Sequence, residues 1–550
     1  PRRARPSSAP ARQPGGGHHR PLVPCPLWQL GSLRPQHRHP RHPRHPPRHG
    51  GRTMRLSTGG LIDRDTALRF QWNDRWLGGC EGDTLASALL ANGIRLVGRS
   101  FKYHRPRGIL TDSSAEPNAL VTIGKGAAAS PNQRATTQAL YQGLYATAQN
   151  AWPSLEWDVM EVNNLLAPFL GAGFYYKTFM GPPGLWERLY EPFIRRAAGL
   201  GALSGQPDPH RYEKVFASCD VLVIGAGPAG LMAALTAARA GADVILADEG
   251  EAMGGRLLSE TITLDGQDGP DWVADVLDEL ASLGVRLMPR TTVTGAYDGG
   301  TYGALERVGH HRGDAPEGLP LEAFWRIAAK RAVLAAGALE RPIAFRDNDR
   351  PGVMLASAVR GYVNRYAVAP GQKVAVFGNN DDAHRTVRDL QAAAVEVVAL
   401  IDSRPDADTS GLDIPVYAGG TVTGTAGRLG LRQITITRPS GSRVIDADCL
   451  AVSGGWNPTV NLTCHMNGRP VWDPEIASFF PSPGAIPGMT VAGAAAGQFG
   501  TRACLETGIA AAREALEALG RKAPKAPKLP ACDDAPYALS PLYAVPGKGR

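Results

Sequence analysis

Apolar and polar positions change their period several times along this chain, and the changes mark its elements. Val221 to Ile224 is a short β-branched run of the kind buried on both faces of a parallel sheet. A glycine cluster follows it, then an alanine-rich helical run from Ala229 to Ala240, then a second strand from Asp243 to Ala247. The same strand, turn, helix, strand order returns in "KVAVFGNNDDAHRTVRDLQAAAVEVVALIDSR", and "GMTVAGAAAGQFGTRACLETGIAAAREAL" reads as a strand and a long helix. Strands alternating with helices predict an α/β architecture with parallel sheets. Upstream, from Leu68, the pattern predicts a hairpin, a short helix capped by Asp83 with Thr84 at its start, and further strands.

Residues 1–53 show no apolar period, and they hold 11 Arg, 12 Pro and 7 of the 13 His. Nothing in them offsets the entropy of ordering, so this stretch predicts a disordered tail. It is expected to be non-native sequence upstream of a start at Met54; a basic arm and a His-rich metal tract are the alternatives. No apolar core of a signal peptide follows its charges. The tail also accounts for the net charge of +8: without it, 48 basic groups face 51 acidic ones, a net of −3. The body therefore carries no electrostatic footprint for nucleic acid or an anionic membrane. Seven cysteines lie scattered at 25, 80, 219, 449, 464, 504 and 532 without a C-x-x-C, which predicts reduced thiols and a cytoplasmic setting. Val221 to Ala238 is 18 residues without a charge, but its glycines explain it better than a membrane span does.

In "DVLVIGAGPAGLMAALTAARAGADVILADEG", Gly225, Gly227 and Gly230 stand at G-x-G-x-x-G spacing between a strand and a helix. The first glycine permits the tight turn, the second lets backbone approach a pyrophosphate, and the third lets helix and strand pack closely. The helix N-terminus supplies amides to the phosphates. Asp248, 18 residues beyond Gly230 and followed by Glu249, is placed to accept from a ribose hydroxyl. An acidic strand end favours a free 2′-hydroxyl, hence NAD or FAD over NADP. "MGGRLLSE" adds Gly254, Gly255 and Arg256 after the second strand, and "RAVLAAGALERP" is similar to the crossover into the second domain of flavin and pyridine-nucleotide proteins. In the later unit, Gly378 keeps the first glycine position, but Asn380 and Ala383 occupy the other two and Asp402 the acidic one. A side chain at Asn380 would stand where a pyrophosphate lies, which predicts a blocked or repurposed seat. Ala494 stands where flavin-binding relatives place an Asp on the ribityl chain, which favours NAD over FAD in the first seat.

The amino-terminal pattern is similar to a ferredoxin-like β-grasp module. Plant-type iron–sulfur proteins carry C-x4-C-x2-C after the loop that here reads "RPRG", and at that spacing this chain has Thr111, Glu116 and Ala119. The expectation is a retained fold without an iron–sulfur cluster. The runs "GDTLASALLANGIRLVGRSFKYHRPRGI", "EPNALV", "AQNAWPSLEWDV" and "VLVIGAGPAGLMAAL", in this order, resemble the alpha subunit of the heterotetrameric sarcosine oxidases over about Met54 to Arg550.

That resemblance implies a fold of two dinucleotide-binding domains, like the flavoprotein disulfide reductases, behind the β-grasp module. It implies beta, gamma and delta partner subunits, with FAD and FMN on or shared with a partner and NAD on this chain. It also implies a tetrahydrofolate-binding half beyond the present sequence. By the same resemblance the NAD site falls on Ala229, Asp248, Glu249, Arg256, Val293, Ala494, Leu505 and Thr507, with Gly225, Gly227 and Gly230 forming the turn. The expected divisions are the tail (1–53), the β-grasp domain (54–126) and a helical linker region (127–218). They continue with the NAD-binding domain (219–345, closed by 485–520), the second, inserted domain (346–484) and a linker (521–550). Lys102, Tyr103, His104, Arg105 and Arg107 form a basic loop that is a candidate for FMN phosphate or a partner subunit. His310-His311 reads as a solvated loop, and no catalytic acid, base or nucleophile stands out. The alternatives are a self-sufficient FAD/NAD-dependent oxidoreductase and a subunit of a related amine or opine dehydrogenase.

Overall fold

In a computed structural model, the residues described are 53–171, 173, 181–313, 318–522, 528–532 and 537–547. The expected tail, up to residue 52, and parts of the expected linker at 521–550 lie outside them. The elements below all fall within one compact unit, Gly50–Arg550.

The amino-terminal module is a five-stranded sheet in the order Arg75–Glu81, Asp63–Trp72, Tyr145–Ala148, Leu120–Ile123, Ser130–Arg134. All seven residues of the helix Leu85–Ala91 are buried. The hydroxyl of Thr84 accepts from the Ser87 N–H, and that of Ser87 from the Thr84 N–H, so Thr84 rather than Asp83 is the cap. Asp83 is taken by Arg55, whose Nη2 stands 2.5 Å from its carboxylate. The sheet runs past residue 126, because Tyr145–Ala148 enters between Asp63–Trp72 and Leu120–Ile123 and pairs with both. In the stretch expected as a helical linker, the described α-helices are the short Val162–Leu165 and Glu191–Ala198.

The first dinucleotide domain is a seven-stranded sheet. Arg286–Met288, Val244–Ala247, Tyr212–Ile224 and Glu322–Leu334 run parallel, and the meander Thr301–Glu306 and Thr291–Tyr297 completes its edge. Met489–Val491 returns to pair parallel with Ala332–Leu334, and the helix Thr501–Ala518 behind it packs on the helix Pro228–Arg239. A segment far along the chain therefore completes this sheet and packs on its first helix. The second domain is a five-stranded parallel sheet, Val353–Leu355, Cys449–Ser453, Lys373–Gly378, Glu396–Asp402, Val416–Ala418, with the helix Asp381–Ala392 and a separate three-stranded meander. Among the described residues no helix is long and apolar enough to cross a membrane. The apolar run at Val221–Ala238 is instead the end of a central strand, its turn and nearly all of a buried helix.

Candidate nucleotide site

The three glycines of the first turn differ in what surrounds them. Gly225 has φ +99, and a Cβ there would stand 2.3 Å from the carbonyl oxygen of Ala335. A Cβ on Gly230 would meet the Gly225 carbonyl oxygen at 1.8 Å. Gly227 differs: a Cβ there would have nothing within 4 Å. Two glycines are thus required by packing, and the middle one borders open space at the start of the helix Pro228–Arg239. No side chain caps that helix, so its first amides are left for an anion.

Asp248 leaves the end of the second strand and folds its carboxylate back on the turn. Oδ2 accepts from the Ala226 N–H at 2.6 Å and Oδ1 from the Gly250 N–H at 2.7 Å. An ionised carboxylate has about four acceptor positions, so room for ribose hydroxyls remains. Gly255 brings the G-G-R segment onto the turn, since its Cβ would lie 2.9 Å from the Cα of Gly227. Arg256 beside it donates to Glu260 at 2.8 Å and to the Phe499 carbonyl. Burial pushes the Arg256 guanidinium down, and the Glu260 carboxylate outweighs this, so it stays charged. Burial likewise raises Glu260, but Arg256, Arg360 and Arg385 together hold it down to about 2.

The closing segment meets the helix start at Ala229. A Cβ on Gly508 would stand 2.1 Å from the Ala229 carbonyl oxygen, and one on Gly493 would stand 2.7 Å from the Ala229 Cβ. The Gly493 N–H donates to Thr507 Oγ1 at 3.0 Å, which brings Ala494 and Thr507 together. Leu505 is wholly buried in the same core cluster as Ala229, so protein encloses its side chain. Val293 lies two residues beyond Thr291, whose N–H donates to the Asp248 carbonyl. The Glu249 carboxylate reaches the amino-terminal module, where Oε1 accepts from Ser114 Oγ at 2.6 Å. Sequence reading missed Ser114, Glu260 and Phe499. Only Glu260 carries a local signal, four residues after Arg256 on a helical turn.

At the second turn Asn380 is wholly buried and caps the helix Asp381–Ala392 with its own side chain, accepting from the Asp382 N–H. Its Nδ2 donates to the Ser453 carbonyl at 3.1 Å, and Asp381 and Asp382 add negative charge to the first turn. Asp402, at the acidic position, is paired with His384 at 2.6 Å and Arg404 at 2.8 Å. The basic loop is also committed within the chain. Arg105 pairs with Asp347 and Asp349, Arg107 with Asp349, His104 with Asp158, and Lys102 donates to the Gly171 carbonyl. His310-His311 is half-buried rather than solvated, because Gln138 donates to the His310 carbonyl and Glu322 approaches its ring.

Comparison with known proteins assigns both modules. Residues 65–151 match the family described as a 2Fe-2S iron–sulfur cluster binding domain, and residues 219–396 that described as pyridine nucleotide-disulphide oxidoreductase. The first match overturns the expectation of a cofactor set without an iron–sulfur cluster. That expectation counted thiols at one ligand spacing, whereas the family is recognised from the pattern of the whole module. Among the described residues no group of three or more His, Cys, Asp or Glu is placed to hold a metal ion.

The solved structure of L-proline dehydrogenase from P. horikoshii covers 84% of this chain and 75% of its own, with a TM-score of 0.59 at 20% identity, a likeness of fold alone. The chain is 36% identical over 508 residues to sarcosine oxidase subunit alpha of Corynebacterium sp. (strain U-96), covering 88% of this chain and 48% of that one. It is 52% identical over 504 residues to the same subunit of Rhizobium meliloti (strain 1021), covering 90% of this chain and 50% of that one. The chain spans about half the length of the curated relatives it matches. A β-grasp module followed by this dinucleotide fold, and such identity over nearly all of the present sequence, make the chain one of the sarcosine oxidase alpha-subunit type.

Proposed function

We propose that this chain is the NAD-binding alpha subunit of a heterotetrameric sarcosine oxidase, working in the cytoplasm with beta, gamma and delta subunits. The assembly would oxidatively demethylate sarcosine to glycine with dioxygen as acceptor, forming H2O2 and passing the methylene group to tetrahydrofolate. The observation that carries the NAD assignment is the open space at Gly227, set between two glycines that packing requires and before a helix without a side-chain cap. Asp248 and Glu249 at the strand end favour a free 2′-hydroxyl. Ala494, without a carboxylate for a ribityl chain, favours NAD over FAD.

FAD and FMN are then on, or shared with, a partner subunit, and tetrahydrofolate belongs to the length of the relatives that this chain does not span. No residue of this chain is assigned a proton transfer or a covalent role. The partner reading is supported by a concentration of exposed apolar side chains, among them Trp152, Trp157, Leu165, Phe169 and Phe193, in one stretch. Such surface is characteristic of interaction sites.

The test is to denature the purified chain and chromatograph what it releases. One NAD per chain and no flavin colour are expected, together with no peroxide from sarcosine unless partner subunits are added. A yellow chain that releases FAD and forms peroxide unaided would replace this reading with a self-sufficient flavoenzyme.

A further inference from the structure

We propose that Ser114 of the β-grasp module is a positioning residue of the nucleotide site, holding the Glu249 carboxylate at the ribose end and sharpening the choice of a free 2′-hydroxyl over a 2′-phosphate. The inference rests on the NAD reading and deepens it. Its basis is the 2.6 Å hydrogen bond from Ser114 Oγ to Glu249 Oε1, across 135 residues of sequence and between two modules. A hydrogen bond to an ionised carboxylate is among the stronger kinds.

Both ends of this bond are held. On the module side, Glu116 is 1% exposed and its carboxylate gathers the loop. Oε2 accepts from the Leu110 and Thr111 N–H groups at 2.8 and 2.7 Å, and Oε1 from those of Asn118 and Ala119 at 2.7 and 3.0 Å. Thr136 Oγ1 donates to the Ser113 carbonyl at 2.7 Å, so the residue before Ser114 is tied as well. On the nucleotide side, Arg307 Nη2 donates to the Glu249 carbonyl at 2.8 Å while its Nη1 donates to the Thr137 carbonyl at 2.7 Å. Arg307 thus clamps the backbone of Glu249 to the module whose serine holds the side chain.

Asp248 and Glu249 are consequently fixed in different directions. Asp248 lies on the glycine turn through the Ala226 and Gly250 amides, and Glu249 is held against the amino-terminal module by Ser114. A carboxylate kept in place repels a phosphate more effectively than one free to swing into solvent, because avoiding the like charge would require breaking its hydrogen bond.

The test titrates the chain, stripped of nucleotide, with NAD and with NADP, in the parent and in Ser114→Ala and Ser114→Thr. The Ser114→Ala variant should lose about 3- to 10-fold of the NAD-over-NADP preference, the scale of one hydrogen bond to a charged group at a partly exposed site. Its melting temperature should stay near that of the parent, and Ser114→Thr, which keeps the hydroxyl, should restore the preference. An unchanged preference in Ser114→Ala would overturn the inference while leaving the NAD reading standing. Equal weakening for both nucleotides would reduce Ser114 to a structural contact and also overturn it. A parent chain that binds no NAD would overturn the NAD reading itself, and the inference with it.

Discussion

Gly230 lies against the carbonyl of Gly225 so closely that a Cβ would stand 1.8 Å from its oxygen. Three residues earlier, a Cβ on Gly227 would touch nothing. The same motif therefore contains a position where a side chain breaks the fold and one where it only fills the seat. Gly230→Ala should destabilise the chain by about 2 kcal/mol or more in urea denaturation, because strand and helix must separate. Gly227→Val should melt near the parent, since its φ of −72 suits any residue, yet retain no NAD after purification. A Gly227→Val chain that releases as much NAD as the parent would show that the seat is elsewhere.

The carboxyl of Glu260 is held down to about 2 against a usual 4.5; burial opposes this, and Arg256, Arg360 and Arg385 outweigh it. A carboxylate whose value is lowered on folding contributes stability that is present above pH 4.5 and lost as the pH falls toward 2. Glu260→Gln should cost about 3 kcal/mol at neutral pH, because it strands buried guanidinium groups. The stability gap between variant and parent should close in acid, as read from melting temperatures at pH 7 and pH 3.

Glu340 shifts the opposite way. Burial lifts it to about 7, with Arg360 and the Ser453 hydroxyl pulling only partly against it. A carboxyl raised on folding contributes stability that is present below pH 4.5 and lost as the pH rises through 7. Glu340→Gln should therefore flatten the decline of the melting temperature between pH 4.5 and 8. A variant that follows the parent throughout that range would show that Glu340 does not hold its proton in the fold.

Restoring the glycine at the second turn should not create a second nucleotide seat. Besides the Asn380 side chain, the segment near Ser540 crosses this turn. The Ser540 N–H donates to the Asn379 carbonyl at 2.9 Å and the Ala538 N–H to the Asp381 carboxylate at 2.6 Å. Asn380→Gly should keep one bound dinucleotide per chain in calorimetric titration. A second equivalent would mean that the asparagine alone closes the site.

Much of the fold could be read from the order of residues because its determinants are local. A strand, a G-x-G-x-x-G turn, a helix and an acidic strand end lie within 30 residues, and backbone geometry leaves them few arrangements. The loss of the second glycine pattern at Asn380 was legible for the same reason, and the buried asparagine now occupies that turn. The thiol count at Thr111, Glu116 and Ala119 was equally local, but it described a ligand set and not the module, and the match over residues 65–151 corrected what was drawn from it.

What the sequence alone determined about this protein is therefore its periodic elements, its glycine turns and the charge at their ends. Tertiary structure decided the partners. Tyr145–Ala148 is only four residues long and becomes a central strand because two others pair with it. The cations of Arg105 and Arg107 are taken by Asp347 and Asp349, 242 residues and more away in sequence. Glu249 is directed by a serine from another module, and Arg256 by the carbonyl of Phe499. The physical reason is range: turn and helix propensities act over a few residues, whereas the hydrogen-bond partner of a charged side chain is set by which distant segments hydrophobic burial brings beside it.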